Sequence, residues 1–287
     1  MRRTAVIGPG RVGTALGMAL QHAGYDVAAV AGRSEANVRR FVDLVPGAQP
    51  TTVARAAEAE LVVVAVPDDA IAEVAAFAAK VDAVAEGSRW IHVAGSHGPD
   101  VLRPARLAGA AVAACHPAQT FPDPEAGLAA LKGCSWAVTA AEADLGWARV
   151  LVTDLGGRPV TVAARNRGLY HAGIAVGSNA TTTVVTLARD LLLGAGVDDP
   201  SPFLGPIATT SAGNAAQAGA AALTGPVRRG DAGTVQRHVD ELRTDLPEAV
   251  DAYLALARLT LRYARRAGLD AEAAHAVAQV LGEEPAG

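Results

Sequence analysis

The chain has 287 residues, enough for two domains or one large one. Hydrophobic residues make up 51% and charged residues 19%, and 25 basic against 29 acidic side chains leave a net charge of −4. Such a balance, with 4% aromatics and no basic domain, argues against a nucleic-acid binder. Arg228-Arg229 and the arginines from Arg262 to Arg266 read as solvated helix faces. No apolar run reaches the ~20 residues a bilayer span needs. Cys115 and Cys134 form neither a CxxC metal pair nor a disulfide framework. Met1-Arg2-Arg3 leads straight into a strand pattern, so no signal peptide is expected and the protein is expected to be soluble and cytoplasmic.

In chain order, "TAVIGPGRVGTALGMAL" begins with a short apolar strand, Ala5 to Ile7, then Gly8-x-Gly10-x-x-Gly13, then a helical pattern. Gly8 suits a tight turn, Gly10 lets a pyrophosphate approach the backbone, and Gly13 lets helix and strand pack closely. The helix start offers free N–H groups to phosphates, so Gly8, Pro9, Gly10, Arg11, Val12 and Gly13 are expected to bind a dinucleotide. The second strand, "DVAAVAGRS", ends without the acid that would hold a ribose 2′-hydroxyl. Arg33 and Ser34 there suit a 2′-phosphate, which favours NADP(H) over NAD. Alternatively Arg33 is a surface charge and Ser34 caps the next helix.

Leu61 to Val66 is a continuous apolar strand of the kind buried in a parallel sheet. Pro67 ends it, and Asp68 or Asp69 is expected to cap the following helix. The backbone of Val66, Pro67 and Asp68 should flank the cofactor. "RWIHVAGSHG" is a further strand, with Ala94 and Gly95 at its small-residue end beside the cofactor, and Ser96 toward the substrate. "AAVAACHPAQTF" and "GGRPVTV" follow. Strands alternating with helices imply an α/β fold with a doubly wound parallel sheet over residues 1–162.

From residue 163 to 287 the pattern is all helical. One long, apolar helix runs from about Arg165 to Leu193, closed by Gly194 and Gly196. A second carries "IATTSAGNAAQAGAAA", and "LTGPVRRGD" reads as a turn with Asp231 capping the next helix. Three more helices are expected at about 232–243, 247–267 and 270–281, and the tail "GEEPAG" is expected to be disordered.

"GPGRVGTAL", "VAVPDDAI", "CHPAQTF", "YHAGIAVGSN" and "ALTGPVRRGD", in this order, resemble a family of Rossmann-like NAD(P)-dependent oxidoreductases. Its C-terminal helical domain was long catalogued as a domain of unknown function. The resemblance covers nearly the whole chain and implies kinship with ketopantoate reductase, pyrroline-5-carboxylate reductase and 6-phosphogluconate dehydrogenase. It implies a Rossmann domain followed by an all-helical domain for substrate or dimerisation, and it supplies ketopantoate as the leading substrate. Where the family often has serine before the glycine of an HxSG-like strand end, this chain has Ala94, with Ser96 two residues on. A substrate contact from that family serine is therefore not carried over.

Hydride transfer to a carbonyl or imine needs a proton donor and hydrogen-bond donors near the nicotinamide. The two lysines, Lys80 and Lys132, lie in the first half and neither precedes a helical asparagine, so the lysine–asparagine solution of related dehydrogenases is absent. His171 is the natural substitute. At about 100° per residue, His171, Ser178 and Thr182 share one helical face, with Asn179 at its edge. This polar stripe is expected to face the nicotinamide, with His171, Asn179 and Ser178 catalytic and Thr182 on the substrate. A core histidine, with hydroxyls bonded back to helix carbonyls, is the alternative. His116 and Gln119, after a strand, suit the ligand crevice or a loop-fixing bond equally. Asn214 is expected on the substrate or a dimer contact, and Arg229 on a substrate carboxylate or on Asp231. His92 reads as core, His97 is undecided, and His22, His238 and His275 read as helix surface. No metal set and no GxSxG nucleophile motif is present. The expected partners are a small-molecule substrate and a second copy in a homodimer. The competing readings are an imine reductase of the pyrroline-5-carboxylate type and a non-catalytic NADP(H)-sensing dimer.

Overall fold

A computed structural model describes residues 3–283. Residues 284–287 of the tail lie outside that range, so the expectation of disorder there is not addressed. The chain divides into two compact units, Met1–Ser178 and Asn179–Gly287. The break in contacts thus falls inside the long helical stretch, beyond residue 162.

The first unit is built on one eight-stranded sheet: β1 Arg3–Ile7, β2 Asp26–Ala31, β3 Gln49–Pro50, β4 Leu61–Val64, β5 Arg89–His92, β6 Ala111–Pro117, β7 Ser135–Ala140 and β8 Arg158–Thr161. Their order in space is β3-β2-β1-β4-β5-β6-β7-β8. The first six strands are parallel and follow the 3-2-1-4-5-6 order of a doubly wound dinucleotide-binding sheet. Alternation along the strands divides the core. Val6, Val63 and Ile91 join Leu16, Leu20 and Phe41 on one face, while Ile7, Val62, Val64 and Trp90 join Ile71 on the other. Strands buried on both sides read as continuous apolar runs, which is why β4 is Leu-Val-Val-Val.

The doubly wound parallel sheet is found as expected, with one antiparallel pairing, between β6 and β7. The reason is length. The helix joining them, Pro124–Leu131, has 8 residues, about 12 Å, against about 23 Å for the seven-residue β6. It does not carry the chain back along the strand, so β7 starts at the edge where β6 ends.

The long helix is divided into Arg167–Ala175, a π-helical turn at Val176–Ala180, and Thr181–Gly194. The second unit has its own core, where Val227, Val235, Leu261, Val277 and Leu281 pack together. "LTGPVRRGD", expected to be a turn, contains the short helix Gly225–Arg229, with Pro226 in its first turn and Gly230 left-handed after it. Asp231 caps the next helix as expected, accepting the Thr234 N–H at 3.0 Å. Apolar as the long helix is, no residue of Thr181–Gly194 is buried within the single chain, nor is any residue of Ser201–Ala218. Phe203 and Ile207 are 61% and 62% exposed. Among the described residues, no helix is long and apolar enough to cross a membrane.

Candidate functional site

The glycine motif works sterically. Gly8 adopts φ +99°, and a Cβ there would lie 2.5 Å from the Ala65 carbonyl oxygen. A Cβ on Gly13 would lie 2.1 Å from the Gly8 carbonyl oxygen, so the helix Arg11–His22 packs against the turn only without one. Gly10 is different. Nothing lies within 4 Å of its Cβ position, so that side of the turn is open for a ligand to approach the backbone.

Gly8, Pro9 and Gly10 line a crevice of about 710 Å³ at the carboxyl edge, beside the β1/β4 switch point where such sheets bind ligands. Val66, Pro67, Arg33 and Ser34 line it too. Arg11, Val12 and Gly13 belong to the first helical turn behind it, and Arg11 bonds the Pro122 carbonyl at 3.4 Å. Ser34 does cap the next helix, accepting the Asn37 N–H at 3.3 Å. Arg33 is exposed and makes no hydrogen bond to another described residue. A Cβ on Gly32 would meet the Pro9 ring at 2.4 Å, so an acid at that position, the NAD-type solution, is sterically barred. Asn37, Thr51 and Thr52 also line the crevice, and sequence reasoning missed them. Thr51 and Thr52 follow a two-residue strand that carries almost no pattern.

The expected acid caps are not formed. Neither Asp68 nor Asp69 caps the turn Asp68–Ala70 or the helix behind it. Instead Asp68 ties two edge loops together: its carboxylate accepts the Ser96 hydroxyl at 3.0 Å and lies 3.8 Å from His97. Ser96, expected on the substrate, spends its hydroxyl on this tie. His92 is core, as expected. It is fully buried, its Nδ1 accepts the Ala94 N–H at 3.2 Å, and its Nε2–H donates to the Gly98 carbonyl at 2.9 Å. Burial holds its pKa down at about 4, so it stays neutral and fixes the Ala94–Gly98 loop.

Gly95 lies where β5 opens into this loop, and two imidazoles crowd it. A Cβ there would lie 3.0 Å from Nε2 of His116 and 3.0 Å from Nε2 of His171. The two rings stand edge to face, 5.8 Å apart. His116 comes from the end of β6, and its Nδ1 lies 2.8 Å from the Tyr170 hydroxyl. Burial first, then the charge of Arg167, lowers the His116 pKa to about 4. Gln119 instead turns to its own loop, accepting the Thr120 N–H at 2.8 Å.

His171 is placed by an arginine that sequence reasoning missed. Arg167, fully buried in the first turn of Arg167–Ala175, donates to the Ala94 carbonyl at 2.6 Å and to the Ala137 carbonyl and Thr139 hydroxyl at 3.2 Å each. It pins the helix to the ends of β5 and β7. The one available signal was its position, since a cation in a first helical turn opposes the helix dipole.

The polar stripe is not continuous. The π turn at Val176–Ala180 breaks the constant 100° spacing that aligned His171 with Ser178 and Thr182. Ser178 bonds back to the Ile174 carbonyl at 3.0 Å. Asn179 and Thr182 lie beyond the break in contacts, both exposed. In the second unit, Asn214 is exposed on Ser201–Ala218, and Arg229 lines a separate 540 Å³ recess with Arg228 and Thr224. Among the described residues, no group of three or more His, Cys, Asp or Glu is placed to hold a metal ion.

Sheet order, switch-point crevice and glycine turn together define a Rossmann-like nucleotide-binding fold. Residues 2–117 match the model of a Rossmann-like domain, and residues 134–260 match that of a domain of unknown function, DUF2520. No curated protein matches the sequence. Among solved structures, the chain is similar to protein BF3122 of Bacteroides fragilis, provisionally described as an NADP oxidoreductase, with 24% identity and a TM-score of 0.76 over 90% of this chain and 97% of that one. It is similar to TM1727 of Thermotoga maritima, with 19% identity and a TM-score of 0.70 over 92% and 99%. A reductive aminase of Aspergillus terreus, in complex with NADPH and ethyl levulinate, shares 17% identity and a TM-score of 0.65 over 97% and 99%.

Proposed function

We propose that the protein is an NADPH-dependent reductase of a small, carboxylate-bearing carbonyl compound, with ketopantoate the leading candidate. The observation that carries this reading is that the open Gly10 crevice and the His116–His171 pair occupy the same carboxyl edge of one sheet. When bound, NADPH supplies the hydride. The crevice residues hold the cofactor: Gly10 opens the backbone to the pyrophosphate, and Arg33 offers an uncommitted cation to the 2′-phosphate. Along the same sheet edge, outside the crevice lining, the two imidazoles serve the substrate. As hydride reaches the carbonyl carbon, negative charge collects on oxygen. His116, kept neutral by burial and by Arg167, hydrogen-bonds that oxygen, and His171 gives the proton that completes the alcohol.

In this reading the Rossmann domain of residues 1–162 binds the cofactor, and the helical domain of residues 163–287 serves substrate binding or dimerisation. Within that domain Asn179, Thr182, Asn214 and Arg229 are the candidates for substrate or dimer contacts. The exposed apolar side chains of Leu169, Val176, Phe203 and Ile207 support a homodimer in which they are covered. A cytoplasmic location belongs to the same reading.

An imine substrate is the second reading. It is favoured by the reductive aminase above and by the likeness, at 18% identity and a TM-score of 0.59, to an imine reductase of Myxococcus stipitatus in complex with NADP+. NADPH oxidation assayed with ketopantoate and with pyrroline-5-carboxylate, each against an NADH control, separates the two. Turnover of ketopantoate supports the first reading. Turnover of the imine alone replaces it with the second, and NADPH binding without turnover of either removes both.

A further inference from the structure

Tyr170 was assigned no role from the sequence, yet among the described residues it makes a polar contact that fixes one ring of the His116–His171 pair. We propose that Tyr170 is a positioning residue that holds His116 in its Nε2–H tautomer, so that His116 is a neutral hydrogen-bond donor and leaves proton transfer to His171. The inference rests on the reductase reading for its catalytic meaning, but its geometry stands apart from any substrate.

The phenol oxygen of Tyr170 lies 2.8 Å from Nδ1 of His116. Burial pushes the phenol pKa up, so the hydroxyl keeps its proton and has one to give. It makes no hydrogen bond to any other described residue. If Nδ1 carried the ring proton, the hydroxyl would accept it and its own proton would have no acceptor among the described residues. If the hydroxyl donates instead, both groups are satisfied. Nδ1 is then a lone pair, and the proton of the neutral imidazole is on Nε2.

Three further observations agree. Arg167, one helical turn before Tyr170, holds its guanidinium 5.8 Å from the centre of the Tyr170 ring. That charge, anchored on Ala94, Ala137 and Thr139, opposes a second proton on His116. The His116 ring meets Tyr170 edge to face at 5.7 Å and His171 edge to face at 5.8 Å, so its orientation is bounded by both. Its Nε2 edge faces Gly95, the end of β5 where the loop leaves the sheet. A donor that cannot be deprotonated at ordinary pH, and that resists becoming a cation, stabilises charge on an oxygen without competing for the transferred proton. Arg167, Tyr170 and His171 thus occupy one short helical stretch, which sets the electrostatics, the tautomer and the proton donor.

The test is ¹⁵N NMR of the imidazole nitrogens in the full-length protein at pH 7, with His116 assigned by loss of its signals in His116→Gln. The expected wild-type spectrum has His116 protonated on Nε2 and bare on Nδ1. Tyr170→Phe, which removes only the hydroxyl, is expected to give a mixture of tautomers and a fall in kcat of about tenfold, with KM for NADPH unchanged. A proton on Nδ1 in the wild type, or a Tyr170→Phe spectrum identical to wild type, overturns the proposal. A changed tautomer with unchanged kcat overturns its catalytic half. The spectra need neither substrate nor turnover, so this failure is distinct from that of the reductase reading, which would show as no NADPH oxidation by the wild type.

Discussion

Replacing Gly95 by alanine perturbs the site with a single methyl group. The new Cβ would lie 2.3 Å from Cδ2 of His171 and 3.0 Å from Nε2 of both imidazoles. Non-bonded carbons rest at about 3.5 Å or more, so the His171 ring has to withdraw by about 1 Å. The obstructing atoms are the ends of two side chains rather than backbone, and Gly95 has no positive φ for the alanine to strain. The fold should therefore absorb the change, with Tm lowered by only a few degrees. The reaction should not, since a displacement of about 1 Å in a positioned catalytic group costs up to roughly 10²-fold in rate. Steady-state NADPH oxidation and a thermal melt on the same preparation measure both effects. Wild-type turnover with an unchanged melt would show that the imidazoles beside Gly95 are not placed to react, and the site would have to be sought elsewhere.

Two other expectations follow from the same geometry. Arg33→Ser should raise KM for NADPH by about tenfold or more and leave KM for NADH nearly unchanged, since a charge-assisted hydrogen bond is worth about 1.5–3 kcal/mol; equal effects on both cofactors would remove Arg33 from the 2′-phosphate. Acid should destabilise the protein through its buried histidines. His92 and His116 have pKa values near 4 when folded and the ordinary 6.5 when unfolded, so between those values the unfolded chain binds more protons. Stability is therefore present above about pH 6.5 and lost as pH falls toward 4, by about 3 kcal/mol for His92 alone. Urea unfolding at a series of pH values checks this, and a flat profile over that range would contradict the neutral, buried His92.

What the sequence made legible was what local sterics dictate. The glycine turn, the apolar β4 and the cap at Asp231 are each written in a short stretch of residues, and each is found as read. Three features were not visible, one set by relative lengths and two by distant partners. The reversal of β7 is a matter of connection length against strand length. The role of Arg167 depends on Ala94, Ala137 and Thr139, far along the chain. Ser96 and Asp68, read separately as substrate and cofactor contacts, turn out to bond each other across two loops. The polar stripe on the long helix was over-read for another reason, because a uniform helical period does not anticipate the π turn at Val176–Ala180. Its first member, His171, stands against Gly95 and His116.

The central claim is that His171 delivers a proton beside an NADPH site. It is tested most directly by the turnover of His171→Ala with the substrate that the wild type reduces, alongside the NADPH dissociation constant of both proteins. The account predicts kcat lowered at least about tenfold with NADPH binding unchanged. Undiminished kcat in a folded, NADPH-binding His171→Ala protein would contradict it.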